Sequence, residues 1–172
     1  MKNLIFELII VLVTILLYFF MKKQNHKNVL KKLLVLFIGV LLFEIMSEPM
    51  WNNYFLNNWA FLYNDVSWII TLGWMNIFMI SILVVDHFYK KYSEKTKFWL
   101  YLLFVTIITL PIEIILLKVG IRDYSVVLTN TLSGINIPFT LAPIEILIVI
   151  PMIAALVIPF YKIICSFFKV KQ

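Results

Sequence analysis

Three glutamates of this 172-residue chain stand where carboxylates are rare. Glu44, Glu113 and Glu145 each fall within a long apolar stretch, and the last two belong to a repeated phrase, Pro-Ile-Glu-Ile, at 111–114 and 143–146. An ionisable side chain within a membrane span costs roughly 2.5–3.5 kcal/mol on insertion scales, so such residues usually face the bundle interior and often mark function. A neutral carboxylic acid beside an ionised carboxylate is the pair that general acid and general base catalysis requires.

The positions of these glutamates in their spans place them at one depth. Glu44, Glu113 and Glu145 lie about three, five and four residues from the outer ends of their spans, which at ~1.5 Å per residue is roughly 5–8 Å below the outer surface. Three carboxyls at one depth can converge on a single cavity. The alternative is structural, because a glutamate near a helix end can reach water, and Glu145 in a first helical turn is favoured by the helix dipole.

The composition indicates the class of protein in which these glutamates lie. The chain is 63% hydrophobic and only 14% charged, and its mean hydropathy is +0.98, whereas a soluble domain is about 45–50% apolar. The sequence therefore predicts an integral membrane protein. No cluster of His, Cys or acidic residues has metal-ligand spacing, and no glycine-rich dinucleotide fingerprint occurs, so neither a metal nor a cofactor is expected.

The apolar stretches predict an all-α, polytopic membrane helix bundle of about five transmembrane helices, forming one domain over residues 1–172. The predicted spans are 4–20, 29–47, 66–89, 97–118 and 141–162, each near the ~20 residues that a bilayer helix needs. Twelve lysines lie in alternate connections: Lys22, Lys23, Lys27, Lys31 and Lys32; Lys90, Lys91, Lys95 and Lys97; Lys162, Lys169 and Lys171. This positive-inside pattern predicts a cell-membrane protein with its N-terminus outside and its C-terminus in the cytoplasm. It explains the basic charge by topology and anionic lipid, and nucleic acid is not expected as a partner.

Two long outer connections, 47–65 and 119–140, mix aromatic residues with Asn, Asp and Ser. They are typical of an interfacial aromatic belt, or they fold as a cap over the outer end of the bundle and line a pocket. A weak internal repeat, 29–89 and 97–162, would match Glu44 with Glu113 and Gly73 with Gly134. Parallel repeats of this kind are common in membrane folds.

Residues 113–162 resemble the integral-membrane lycopene cyclase domain of carotenoid biosynthesis. In that family a carboxylate ends one helix, an aromatic-bearing loop and a glycine follow, and Pro-Leu/Ile-Glu-Glu opens a Phe-rich helix. The matching residues here are Glu113, Tyr124, Thr131, Gly134, Pro143-Ile144-Glu145 and the helix to Pro159-Phe160-Tyr161-Lys162. The family's second glutamate is Ile146 here, and residues 44–89 show a fainter likeness.

The resemblance implies a non-redox cyclisation of an isoprenoid end group, and the cofactor-free version is favoured here. A carboxylic acid protonates the terminal alkene, the ring closes through a tertiary carbocation, and a base removes a neighbouring proton. Glu113 and Glu145 would supply acid and base, with Glu44 as modulator. The expected substrate-binding residues are Trp59, Tyr63, Trp68, Asn76 and Tyr124, whose aromatic members could stabilise the cation.

Two alternatives remain open at this point. A small transporter or ligand-binding membrane subunit could use the same glutamates for a proton or a cation. The second alternative is a non-catalytic partner subunit or lipid-binding module. Asn76, as a buried amide, could equally join helices. The expected partners are a lipid-soluble polyprenoid and membrane lipids, and an oligomer of like or unlike chains is left open.

Overall fold

The computed structural model describes residues 2–53 and 55–168, so that Lys169 and Lys171 of the predicted C-terminal lysine group lie outside it. Its helices are α1 (Lys2–Lys23), α2 (Val29–Ser47), α3 (Trp68–Phe88), α4 (Glu94–Val119), the single-turn α5 (Val126–Thr129) and α6 (Ile146–Phe167). The short strands are β1 (Trp51–Asn52), β2 (Phe61–Tyr63), β3 (Val66–Ser67) and β4 (Asp123–Tyr124). The predicted all-α bundle is confirmed.

The five long helices form a membrane bundle. Four of them, α1, α3, α4 and α6, are long and apolar enough to cross a membrane. The fifth, α2, has the length to do so but carries Lys31, Lys32 and Glu44 within its 19 residues. The connections 24–28 and 89–93 lie at one end of the bundle, here called the lysine end. The long connections 48–67 and 120–145 lie at the other, here called the loop end.

Helix α6, which corresponds to the fifth predicted span, starts five residues later than the predicted residue 141. It begins at Ile146, because the residues before it form a tight hairpin instead of a first helical turn. In that hairpin Pro143 pairs with Asn136 as an antiparallel bridge, and the Ile144 amide donates to the Ile135 carbonyl at 2.9 Å. Glu145 is therefore the residue immediately before α6 and does not lie in the first turn of the helix.

The two loops fold onto each other at the loop end. Strand β1 pairs with β4 in antiparallel fashion, with Trp51 opposite Tyr124. Ser125 then joins the loops twice, because its hydroxyl donates to the Pro49 carbonyl at 2.6 Å and its amide to the Met50 carbonyl at 3.1 Å. This is the cap arrangement that the sequence left open.

Helix α1 fastens the cap from below. Glu7 is fully buried, and its two carboxylate oxygens accept hydrogen bonds from the backbone and side-chain amides of Asn57, at 2.7 and 2.8 Å. Helix α4 ends beneath the second loop at Gly120, whose φ of 74° is left-handed and suits a residue without a side chain. The first loop is therefore anchored to α1, and the second begins directly over α4.

Helices α2 and α6 approach closely at Gly39, and this contact yields a first testable prediction. A Cβ atom added at Gly39 would lie 2.7 Å from Cδ1 of Phe160. We expect Gly39→Ala to lower the free energy of unfolding by about 1–3 kcal/mol, as overpacking does in a filled interior. Unfolding in mixed detergent micelles measures the change. The double variant with Phe160→Leu should recover most of the loss, and equal loss in both variants would contradict this explanation.

Candidate functional site

A buried ion pair lies at the loop end of the bundle. Glu113, near the C-terminal end of α4, and Arg122, in the loop just after it, are 3% and 2% exposed. The Arg122 Nη1 atom lies 3.8 Å from the Glu113 Oε2 atom. Truncating one partner of such a buried pair would leave the other without its compensating charge, so the two residues stabilise this site as a pair.

Two aromatic residues of the loops complete the surroundings of Arg122. Its guanidinium carbon lies 3.8 Å from the centroid of the Trp51 ring, a cation–π contact, and the Trp51 ring lies 5.3 Å from that of Tyr124. The pairing of β1 with β4 sets this arrangement, since it places Trp51 opposite Tyr124. The Trp51 indole N–H donates to the Ser47 hydroxyl at 3.3 Å, which fixes the ring to the end of α2.

Glu44 joins this cluster from α2. Its side chain is 2% exposed, and the charges of Arg122 and Glu113 both act on its carboxyl. Two of the three predicted glutamates are therefore buried in the same region as Arg122, and Glu113 is the one that forms an ion pair with it. Glu44, Glu113 and Arg122 together form the charged cluster.

The charged cluster has few internal hydrogen bonds. Within the described ranges, five buried polar atoms here have no partner: Glu44 Oε1, Thr109 Oγ1, Glu113 Oε1, Arg122 Nε and the Tyr124 hydroxyl. Native structures contain only a few such atoms per hundred residues, so a group of them in one place calls for a water, an ion, a ligand or a catalytic role. Burial raises the pKa of Tyr124, and the Glu113 charge raises it further, so its phenol stays neutral and can donate a hydrogen bond.

An apolar cavity of about 300 Å³ reaches this cluster from between α1, α3 and α4. Its walls are mainly apolar, with isoleucine the most frequent residue, and Glu113 and Arg122 are the charged side chains that line it. Ile9 and Ile112 line the cavity and are also exposed on the surface of the bundle, so the cavity borders the lipid-facing side.

The predicted substrate-binding residues divide between the cavity and the loop surface. Asn76 lines the cavity and also joins helices, because its amide donates to the Thr14 hydroxyl at 2.8 Å while its Oδ1 atom has no partner among the described residues. Tyr124 lies beside the charged cluster. Trp59 and Tyr63 lie on the first loop, and Trp68 is the first residue of α3. Trp59 and Trp68 pack edge to face at 5.0 Å, and Tyr63 is 69% exposed.

Glu145, the third predicted catalytic glutamate, is held by the second loop. Its Oε1 atom accepts a hydrogen bond from the Ser133 amide at 2.7 Å, and no ion pair joins it to Arg122 among the described residues. Hydrogen bonding from Ser133 holds the pKa of the Glu145 carboxyl below its ordinary value of 4.5.

The Glu145 contact predicts a pH-dependent loop. Because the pKa is lower in the folded protein, the contact stabilises the loop fully above the ordinary pKa of 4.5, and this stabilisation is lost as the pH falls through the lower, folded-state value. Hydrogen exchange of the Ser133 amide, compared between the protein and Glu145→Gln, tests this. The two should differ at neutral pH and converge in acid, and a difference that persists in acid would contradict the assignment.

Sequence reasoning missed two residues of the site, Arg122 and Trp51. Both lie in loops, where basic and aromatic residues usually serve the membrane interface. One observation could have singled out Arg122: it is the only arginine in a chain whose other basic residues are all lysine. A guanidinium is the better partner for a buried carboxylate and an aromatic face.

The part of the chain that the structure describes contains no candidate metal site. In the described ranges, no group of three or more His, Cys, Asp and Glu side chains could hold a metal ion. The comparisons with protein-family models, with curated proteins and with solved structures give no match for this chain.

Proposed function

We propose that this membrane protein takes the apolar end group of a lipid-soluble, isoprenoid-like molecule into the cavity between α1, α3 and α4 and rearranges it by proton transfer without a cofactor. Ring closure of a polyprenoid end is the reaction that the resemblance implies. The observation that carries the proposal is the meeting of two features: an apolar, lipid-bordering cavity and a buried, incompletely hydrogen-bonded Glu113–Arg122 pair at its wall.

The charges of the cluster support acid–base chemistry. The cluster contains two carboxyls and one guanidinium, so its net charge is zero only when one carboxyl carries a proton. Glu113, which lines the cavity beside Arg122, would act as the base that accepts a proton from the cyclised cation. Glu44, which does not line the cavity, would hold the proton that reaches the alkene through Glu113. One proton is delivered and one is removed, so the product is an isomer of the substrate and no oxidant or reductant is needed.

A second candidate is a ligand-binding membrane subunit that holds the same molecule without changing it. The contact of Arg122 with the Trp51 ring favours this role, because a guanidinium fixed in this way can bind a polar group at the end of an apolar ligand. An ion transporter is less well supported, since apolar side chains form most of the cavity wall.

Expression in cells that accumulate a linear carotenoid, followed by pigment analysis, tests both candidates. Cyclised pigment supports the enzyme, and linear pigment that co-purifies with the protein supports the binding subunit. Ile77→Trp, which should fill the cavity from α3, is expected to abolish either result. Leu156→Trp is the matched control, because Leu156 is 67% exposed on α6, away from the cavity. Neither cyclised nor co-purified pigment, or the same result with Ile77→Trp, would overturn the proposal.

A further inference from the structure

A second cavity, of about 440 Å³, lies at the lysine end of the bundle. Residues from α1, α2, α3, α4 and α6 line it, and it is separate from the cavity at the loop end. Its charged lining consists of Lys32, Lys90, Lys97 and Lys162, with only Asp86 and Glu94 opposing them.

The two acids of this cavity are already engaged. Glu94 accepts from Lys97 at 3.1 Å and from Lys162 at 2.7 Å. Asp86 accepts a hydrogen bond from the Tyr101 hydroxyl at 2.6 Å, and it lies 3.8 Å from Lys97. Lys97 and Lys162 are thereby compensated, whereas Lys32 and Lys90 are not.

Lys32 is the deepest of the uncompensated charges. It lies in the first turns of α2, is 4% exposed and lines the cavity, while its neighbour Lys31 is exposed. Within the described ranges Lys32 has neither a hydrogen-bond nor an ion-pair partner on its side chain. Because Lys32 lines the cavity and no acidic side chain of the described residues contacts its ammonium, a phosphate that enters the cavity would find a positive charge already in place.

We propose that the lysine-end cavity binds a phosphate-bearing anion, with Lys32 as the deep contact and Lys90 at the rim. Lysine binds phosphate as a point charge, and basic pockets between membrane helices bind anionic lipid head groups. The phosphate can belong to a lipid head group or to a soluble molecule, since both present the same oxygens. The site does not depend on the function proposed for the loop end.

Thermal unfolding of the detergent-purified protein tests this site. The probes are inorganic phosphate and short-chain phosphatidylglycerol, with phosphatidylcholine of the same chain length as a comparison. We expect phosphatidylglycerol to raise the unfolding temperature in a saturable way. A rise with inorganic phosphate as well identifies a soluble phosphate site, and a rise with phosphatidylglycerol alone identifies a lipid site. No saturable rise with either, or an equal rise with phosphatidylcholine, would overturn the proposal.

Variants locate the binding. Lys32→Met should weaken it at least tenfold, and Lys31→Met, the exposed neighbour, should leave it unchanged. Since Lys32→Met alters the interior, Lys90→Gln provides a second variant at an exposed position, with a smaller expected loss of severalfold. Unchanged affinity in both Lys32→Met and Lys90→Gln would exclude the cavity as the site.

Discussion

Replacing Arg122 by methionine is expected to lower the free energy of unfolding by about 3–5 kcal/mol, the loss typical of a broken buried ion pair. The variant leaves Glu113 buried without its ion-pair partner, and it removes the cation from the Trp51 ring. Unfolding in mixed detergent micelles, followed by tryptophan fluorescence, measures the loss.

Two further variants make this measurement specific. Lys118→Met removes a cation from the same end of α4, where it is exposed, and should change stability by no more than about 0.5 kcal/mol. The double variant Arg122→Met/Glu113→Gln removes both members of the pair and should recover a large part of the loss. If the double variant loses as much as the sum of the single ones, the two residues do not stabilise the fold as a pair.

Replacing Glu44 or Glu113 by glutamine is expected to reduce product formation by about 10²–10⁴-fold, if the proposed proton transfer takes place. Each substitution keeps the size of the side chain and removes its capacity to exchange a proton. Product yield per unit of purified protein, measured in the pigment experiment, gives the effect. Co-purified linear pigment measured on the same samples separates lost chemistry from lost binding.

Two other glutamates serve as comparisons for this prediction. Glu48 follows α2 directly and lies outside the charged cluster, so Glu48→Gln should retain full yield. Glu145→Gln distinguishes the sequence-based assignment from the structural one. If Glu145 is catalytic, as the sequence predicts, the variant should form no product. If Glu145 only holds the second loop through Ser133, as its contact indicates, the product yield should fall only in part. Full yield from both Glu44→Gln and Glu113→Gln would refute the acid–base mechanism.

The helices of this protein could be predicted from sequence because membrane spans are governed by a few strong terms. Long apolar runs bounded by lysines left little freedom, and α2 begins and ends at the predicted residues, Val29 and Ser47. The start of α6 was harder to predict. Pro143 suits a first helical turn, and only the hydrogen bonds of the preceding hairpin, such as that from Ile144 to Ile135, shift the start to Ile146.

Only the two glutamates of the charged cluster could be predicted from the sequence. Counting residues from the helix ends gave Glu44 and Glu113 a common depth, and both lie buried near Arg122. The same count could not give the direction of Glu145, because that depends on where its helix begins. Arg122 and Trp51 meet through the pairing of β1 with β4, a contact between residues about seventy positions apart that no local pattern encodes.

The pairing of the two loops also has a consequence for biogenesis. A chain synthesised from its N-terminus places Glu44 and Trp51 in the membrane region before the ribosome has made Arg122. During that interval the first three helices carry the Glu44 carboxyl before the chain that encloses it exists, and only the pairing of β4 with β1 completes the enclosure. The loop end of the bundle is therefore completed late in translation. Quenching or a shift of Trp51 emission, measured on nascent chains of increasing length, would show when this happens.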